Sequence, residues 1–155
     1  MHKQLDMRYY MWYYIKMKRI EVVLDTNVLY AGLYSSEGAS FRILSGIQQR
    51  ILTPVLSTSL LFEYEEVLRR NQETLKLSSM EIENLLDELC LYAVHQEIYF
   101  LWRPQLPDPK DDHILELAFA SEANVIVTHN LKDFTRAPRF GVRVLKPKDF
   151  LEVMK

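Results

Sequence analysis

The stretch VVLDTN, residues 22–27, places an aspartate directly after three large apolar residues. A run of branched apolar residues is typical of a strand that is buried on both faces of a sheet. The charge at its end has two interpretations: Asp25 can cap a turn or a helix, or it can contribute to a site beyond the strand. Asn27 can provide the same capping group, which weakens the need for Asp25 as a cap.

A second candidate acid lies in the segment TSLLFEYEEVLRR, which has helical periodicity. Glu65 and Glu66 each have an arginine four residues later, which is the favourable order for an ion pair on a helix surface. Glu63 has Val67 at that distance and no basic residue within helical reach. A solvated surface glutamate explains Glu63 as well as a role in a site does.

Further acids are concentrated in DPKDDHILELA and VIVTHNLKDF. Asp108 followed by proline is a good helix start, so we expect Asp108 to be an N-cap. Asp111 and Asp112 fall in the first turn, where the helix dipole favours acids whatever their function. Asp133 follows a buried-type strand, as Asp25 does, so the two acids share the same kind of position.

The elements that must position these acids alternate between strand and helix. We predict strands at 20–24, 51–54, 124–128 and 142–145, and helices at 39–49, 57–70, 108–122, from Ser78 and from Pro147. This alternation predicts an α/β protein with three layers, α/β/α, in which helices cover a central, mostly parallel sheet. A single domain is expected at residues 17–155, preceded by an aromatic leader, residues 1–16, of unassigned role.

In open α/β sheets, sites form beyond the carboxyl ends of the strands. If the strands that precede Asp25 and Thr128 are neighbours, several carboxylates converge at one edge of the sheet. Crowded carboxylates repel one another, and a hard divalent cation such as Mg²⁺ or Mn²⁺ relieves that conflict. Such a site indicates hydrolysis of a phosphodiester.

Composition sets limits on the other classes of function. The net charge of −2 means that any binding of nucleic acid needs a local basic region. The single cysteine, Cys90, excludes an internal disulfide and a metal site built from cysteines. Membrane insertion is not expected, because no apolar run approaches the ~20 residues that a span needs. A cytoplasmic location is expected, because the chain begins without a signal peptide.

In their order and spacing, the motifs VVLDTNVL, LLFEYEEVL, DPKDDHILELA and VIVTHNLKDF resemble the PIN-domain family. The resemblance covers residues 18–151, and DTN with VTHNLKDF is typical of one PIN subgroup. It implies a metal-dependent ribonuclease that uses Mg²⁺ or Mn²⁺, with Asp25, Glu63 and Asp111 as catalytic acids and metal ligands. Many family members are the toxin halves of toxin–antitoxin pairs, so the resemblance also implies a cognate antitoxin protein as partner.

One position departs from the family pattern. Many members have a fourth acid where this chain has Asn130. Asp133 is therefore the candidate for the fourth metal ligand. We expect Thr128 and Asn130 to orient Asp25 or metal-bound water by hydrogen bonds, and Asn27 to organise Asp25 locally. An oxygen-rich site needs no histidine, so none is assigned to it.

Cations that could follow an RNA backbone are concentrated near the end of the chain. From residue 132 to residue 148 there are six basic residues and a single acid. A solvated surface explains this region as well as nucleic-acid binding does. The candidate RNA-binding residues are Arg103, Lys110, Lys132, Arg136 and Arg139.

Two other functions stay open. A non-catalytic PIN-like module that binds RNA or protein is consistent with the asparagine at position 130. A haloacid-dehalogenase-like phosphatase also has an aspartate after its first strand, but it requires a second aspartate two residues later, where this chain has Asn27. A homodimer is a further expectation, because the helices around Leu44 and Leu85 have apolar faces that can pair.

Overall fold

The computed structural model describes residues 6–11, 19–98 and 105–154. In these residues a five-stranded sheet has the order β3-β2-β1-β4-β5, and every neighbouring pair is parallel. The strands are β1 Ile20–Leu24, β2 Leu52–Leu56, β3 Val94–His95, β4 Val125–Val127 and β5 Arg143–Leu145. The domain start expected at Met17 lies outside the described residues.

Helices cover both faces of this sheet, as the strand–helix alternation predicts. They are α1 Thr26–Tyr34, α2 Ala39–Gln48, α3 Thr58–Arg70, α4 Gln72–Leu75, α5 Ser79–Tyr92, α6 Asp112–Ala120 and α7 Pro147–Val153. Short 3₁₀ helices span Pro109–Asp111, Leu131–Phe134 and Ala137–Phe140. The predicted three-layer α/β/α fold is therefore confirmed. In the part of the chain that the structure describes, no helix combines the length and the apolarity needed to cross a bilayer.

The alternation of side chains along β1 divides the core into two clusters. Val23 packs on one face with residues of α3, α5 and α6, whereas Val22 and Leu24 pack on the other face with residues of α2 and α7. The side chains of Val22, Val23 and Leu24 are all buried. Because successive residues of a strand point to opposite faces, one short apolar run supports both helical layers.

The strand order reverses between β1 and β4. The chain moves from β1 to β2 on one side of the sheet and later returns to place β4 on the other side of β1. Leu24 lies opposite Val127, and the backbone N–H of Asp25 donates to the carbonyl of Val127 at 2.9 Å. The residues that follow the two strands, Asp25 and Thr128, are consequently adjacent at the point where open α/β sheets form their sites.

Helix caps largely follow the predictions. The Ser57 hydroxyl accepts from the backbone N–H of Leu60, and Ser78 forms a capping box with Glu81. Asp108 accepts from the backbone N–H of Lys110, which confirms it as an N-cap. The helix expected to reach residue 122 ends earlier, at Ala120.

Two helices, α1 and the short α4, were not predicted. α1 follows β1 immediately, although Thr26 and Asn27 are poor helix formers. Its buried residues include Val28 and Leu29, which pack in different core clusters. Packing against both clusters outweighs the weak local preference for helix, so periodicity alone does not reveal α1.

Candidate active site

The four candidate acids, from four separate segments, are among the residues that line one open cleft at the carboxyl ends of β1 and β4. Asp25, Glu63, Asp111 and Asp133 border this cleft, whose volume is about 750 Å³. They come from the end of β1, from α3 and from two 3₁₀ helices. The structure thus brings together every acid that the sequence analysis singled out for metal binding.

Asp25 makes contacts that fit both interpretations of its sequence position. Its Oδ1 accepts from the backbone N–H of Thr26 at 2.8 Å and caps α1, while its Oδ2 accepts from the Thr128 hydroxyl at 2.7 Å. Burial raises the pKa of Asp25, these two hydrogen bonds lower it, and the charges of Glu63 and Asp133 raise it further, with a net upward shift. The aspartate is a cap and also a carboxylate aimed at the cleft.

A hydrogen-bond network fixes the side chain of Thr128, which in turn binds Asp25. Thr128 is fully buried, and its Oγ1 accepts from the Asn27 amide at 3.3 Å and from the Asn130 backbone N–H at 3.0 Å. The Asn27 carbonyl oxygen accepts from the backbone N–H of His129 at 3.2 Å. Asn27 therefore organises Asp25 through Thr128. The interpretation of Asn27 as a cap is wrong, because its side chain crosses to the loop after β4.

Glu63 is held by two residues that the sequence analysis did not assign to the site. Its Oε2 accepts from the Thr26 hydroxyl, and its Oε1 lies 3.4 Å from Nε2 of His113, which donates to it. Burial raises the pKa of Glu63, but the hydrogen bonds from His113 and Thr26 outweigh burial and hold the pKa below its usual value. The partners of Glu63 belong to α1 and α6, and its own helix provides it with no basic partner.

Asp111 has the largest pKa shift among the four candidate acids. Its pKa rises from 3.8 to about 7, first because of burial and then because of the charges of Asp25, Asp108, Asp133 and Glu63. It is the last residue of the 3₁₀ helix that precedes α6. A carboxylate in this position resists ionisation unless a cation compensates the surrounding charge.

The neighbouring Asp112 has a structural role. It is 1% exposed, and its carboxylate accepts from the backbone N–H groups of Gln105 and Leu106 at 3.1 and 2.8 Å. These bonds fix the chain segment that leads into the acidic cleft. Of the adjacent pair of aspartates, one is satisfied by backbone donors and the other lines the cleft.

The donor set suits a hard cation, although the side chains do not surround one as they stand. Over the described ranges, no group of three or more His, Cys, Asp or Glu side chains forms a cluster that could hold a metal ion. The four acids of the cleft nevertheless provide only carboxylate oxygens, the ligands that Mg²⁺ and Mn²⁺ prefer. Burial and the repulsion of neighbouring acids together raise the pKa of Asp111, and a divalent cation relieves that repulsion.

The candidate RNA-binding cations are divided between the cleft and the outer surface. Lys110 lines the cleft, together with Arg70, which the sequence analysis had assigned only to an ion pair with Glu66. That exposed pair has an N–O distance of 3.7 Å and is a weak constraint on the arginine. Arg103 lies outside the described residues. Lys132, Arg136 and Arg139 are exposed and are not among the residues that border the cleft.

Comparison with known proteins agrees with this geometry. A search of curated proteins found no match. A family model described as the PIN domain matches residues 21–132, which include Asp25, Glu63 and Asp111. The match covers more than half of the chain, and the sheet and helical layers are consistent with the PIN fold. This chain therefore belongs to the PIN-domain family.

Proposed function

We propose that this protein is a metal-dependent endoribonuclease that hydrolyses phosphodiester bonds in RNA. PIN domains are generally nucleases, which supports a hydrolase that acts on nucleic acid. The observation that carries the proposal is the shared cleft of Asp25, Glu63, Asp111 and Asp133, which are distant in the chain. Acids crowded at a sheet's switch point suit a divalent cation and the phosphate that it binds.

Mg²⁺ or Mn²⁺ is the proposed cofactor, held by Asp25, Glu63 and Asp111. Asp133 is the proposed fourth ligand, because this chain has Asn130 where many family members have an acid. PIN-domain nucleases generally use divalent metals. A bound cation supplies Lewis-acid chemistry that neutralises charge on phosphate oxygens and makes water a better nucleophile. The raised pKa of Asp111 supports this proposal, since it reports uncompensated negative charge in the cleft.

The chain's own residues hold the carboxylates in fixed directions. Thr128 binds one oxygen of Asp25, while Thr26 and His113 bind the two oxygens of Glu63. In the proposed reaction, the oxygen of water forms a bond to phosphorus and water releases a proton, the bond from phosphorus to the 3′ oxygen breaks, and the 3′ oxygen takes up a proton. The products are a 5′-phosphate and a 3′-hydroxyl. Fixed carboxylates favour this reaction because a small misplacement of the reacting groups is costly.

Phosphate binding is proposed for cations inside and outside the cleft. Lys110 borders the acids directly, and its charge suits the phosphate next to the scissile bond. Lys132, Arg136 and Arg139 are exposed on the segment after β4 and are proposed to contact the RNA backbone beyond the cleft. Arg103 is kept as a further proposed contact.

The proposed biological role is that of a toxin in a toxin–antitoxin pair. The DTN and VTHNLKDF motifs support this assignment. Growth arrest on expression of the chain, and its relief by the product of an adjacent gene, tests the role and identifies the antitoxin. We also propose a homodimer through the apolar faces around Leu44 and Leu85, which light scattering of the purified protein tests directly.

A non-catalytic module that binds RNA or protein is the second candidate. Asn130 supports it, because an amide replaces a carboxylate at the cleft. The phosphatase alternative has less support. Asn27 stands where a phosphatase needs its second aspartate, and its amide bonds to Thr128 and to the backbone of His129.

Cleavage of single-stranded RNA in Mn²⁺, compared between the wild type and Asp25→Asn, tests the proposal. We expect the wild type to cleave and Asp25→Asn to lose most of its activity. The matched control is Asp87→Asn, which neutralises an exposed aspartate on α5 away from the cleft and should cleave normally. Equal cleavage by the wild type and Asp25→Asn rejects the mechanism, and no cleavage by either favours the binding module.

A further inference from the structure

Two tyrosines on α1 form an aromatic surface that begins inside the acidic cleft. Tyr30 lines the cleft, and its ring stacks on that of Tyr34 with centroids 5.9 Å apart and an interplanar angle of 17°. Tyr34 is 64% exposed, so the core does not require its ring. The pair therefore presents aromatic surface that runs from the cleft into solvent.

The position of the tyrosines relative to the acids is set by the helix itself. α1 begins directly after Asp25, and an α-helix rises about 1.5 Å per residue. Tyr30 and Tyr34 consequently lie roughly 7 and 13 Å along the helix axis from Asp25. A nucleic-acid strand with its scissile phosphate at the acids reaches both rings within a few nucleotides.

The charge of the cleft explains why stacking is needed there. The net charge is −2, and six acids line the cleft against two basic side chains, so the electrostatic field of the metal-free cleft does not attract a phosphate backbone. Stacking of a base on an aromatic ring supplies binding energy that does not depend on a positive field. It requires an accessible base face, which an unpaired nucleotide has and a duplex does not.

We propose that Tyr30 and Tyr34 form a base-stacking subsite that selects unpaired nucleotides beside the scissile phosphate. Arg70, which lines the cleft together with Tyr30, is suited to the phosphate between the stacked bases. The inference rests on the nuclease function proposed above and gives its substrate class, single-stranded RNA, a mode of recognition. It also assigns the residues that recognise that class.

Binding of a fluorescently labelled single-stranded RNA, measured by anisotropy in Mg²⁺ buffer, tests the subsite without cleavage when every variant carries Asp25→Asn. Tyr34→Ala should weaken binding by about 5- to 20-fold, within the range for loss of one base–aromatic stack. Tyr34→Phe keeps the ring and should restore binding. Phe62→Ala is the matched control, because Phe62 is also 64% exposed but lies on α3 outside the residues that border the cleft.

A second arm distinguishes stacking from a structural effect. Oligonucleotides that lack one base at a time should bind less tightly when the missing base is the one that meets Tyr34, and Tyr34→Ala should be insensitive at that position. A duplex of the same sequence should bind both proteins equally. Equal affinity of Tyr34→Ala and its parent, a matching loss in Phe62→Ala, or an absence of RNA binding by the parent overturns the subsite.

The two proposals fail in different ways. Wild-type protein that does not cleave RNA but binds it through Tyr34 refutes the nuclease and leaves the subsite intact. Cleavage that depends on Asp25, with binding that does not depend on Tyr34, refutes only the subsite.

Discussion

Replacing Asp111 with asparagine is expected to stabilise the metal-free protein above neutral pH. Burial and the surrounding acids raise the pKa of Asp111 from 3.8 to about 7. As pH rises from the lower value to the higher one, the unfolded chain loses a proton that the folded protein retains. The free energy of unfolding therefore falls across that window, and an asparagine removes this loss.

The size of the effect follows from the shift. A difference of about three units corresponds to an upper limit of about 4 kcal/mol, at 1.36 kcal/mol per unit. Asp111 is partly exposed, so solvent screening reduces the expected gain to about 1–2 kcal/mol. For a domain of this size the melting temperature should rise by roughly 2–8 °C. Below about pH 3 the carboxyl is largely protonated in both states and the gain should disappear, and at pH 4 it should already be small.

Thermal unfolding in EDTA at pH 4, 6 and 8 measures this dependence. Asp87→Asn is the control, because it removes an exposed aspartate from α5 outside the cleft and should show no comparable gain. A gain for Asp111→Asn at pH 4 as large as that at pH 8 would refute the electrostatic reasoning. So would the absence of any gain at pH 8.

Three further predictions concern the cleft. Mn²⁺ binding at pH 7 should release protons from wild-type protein, because a cation lowers the raised pKa of Asp111; calorimetry in buffers of different ionisation enthalpy should show less release for Asp111→Asn. Thr128→Val should weaken Mn²⁺ binding by about 10- to 100-fold, because it removes the hydroxyl that orients Asp25. Thr128→Ser keeps that hydroxyl and should retain Mn²⁺ binding. Metal titration should reveal a second bound ion only with a non-cleavable RNA analogue, because Asn130 leaves one carboxylate fewer; equal stoichiometry with and without the analogue would contradict this.

Four of the five strands and most of the helices were predictable because burial leaves a direct pattern in the sequence. The apolar run of β1 and the capping box at Ser78 are local signals, and each corresponds to an element of the structure. α1 left no such signal. Its residues pack against partners in two clusters, and the partners are distant in the chain.

The convergence of the four acids was predictable from the sequence, but the residues that hold them were not. Glu63 stood out because it lacked a basic partner within helical reach, but its actual partners, Thr26 and His113, lie 37 and 50 residues away. Asp111 and Asp112 are chemically identical in the sequence. In the sequence only the family resemblance distinguished them, and in the structure contacts with residues such as Leu106, whose backbone N–H donates to Asp112, separate their environments.

The hydrogen bonds that hold the acids also connect elements of the fold. Asp25 caps α1, and Glu63 on α3 binds a hydroxyl from α1 and an imidazole from α6. Asp25 and Glu63 thus connect elements that carry other proposed ligands, so a displacement of one helix alters the positions of several carboxylates. Burial of Asp111 beside the charges of the other acids opposes folding at neutral pH, as its raised pKa indicates, while the hydrogen bonds of Glu63 oppose separation of α1, α3 and α6. A cation that removes the repulsion and leaves those hydrogen bonds in place should stabilise the fold and complete the site in one step.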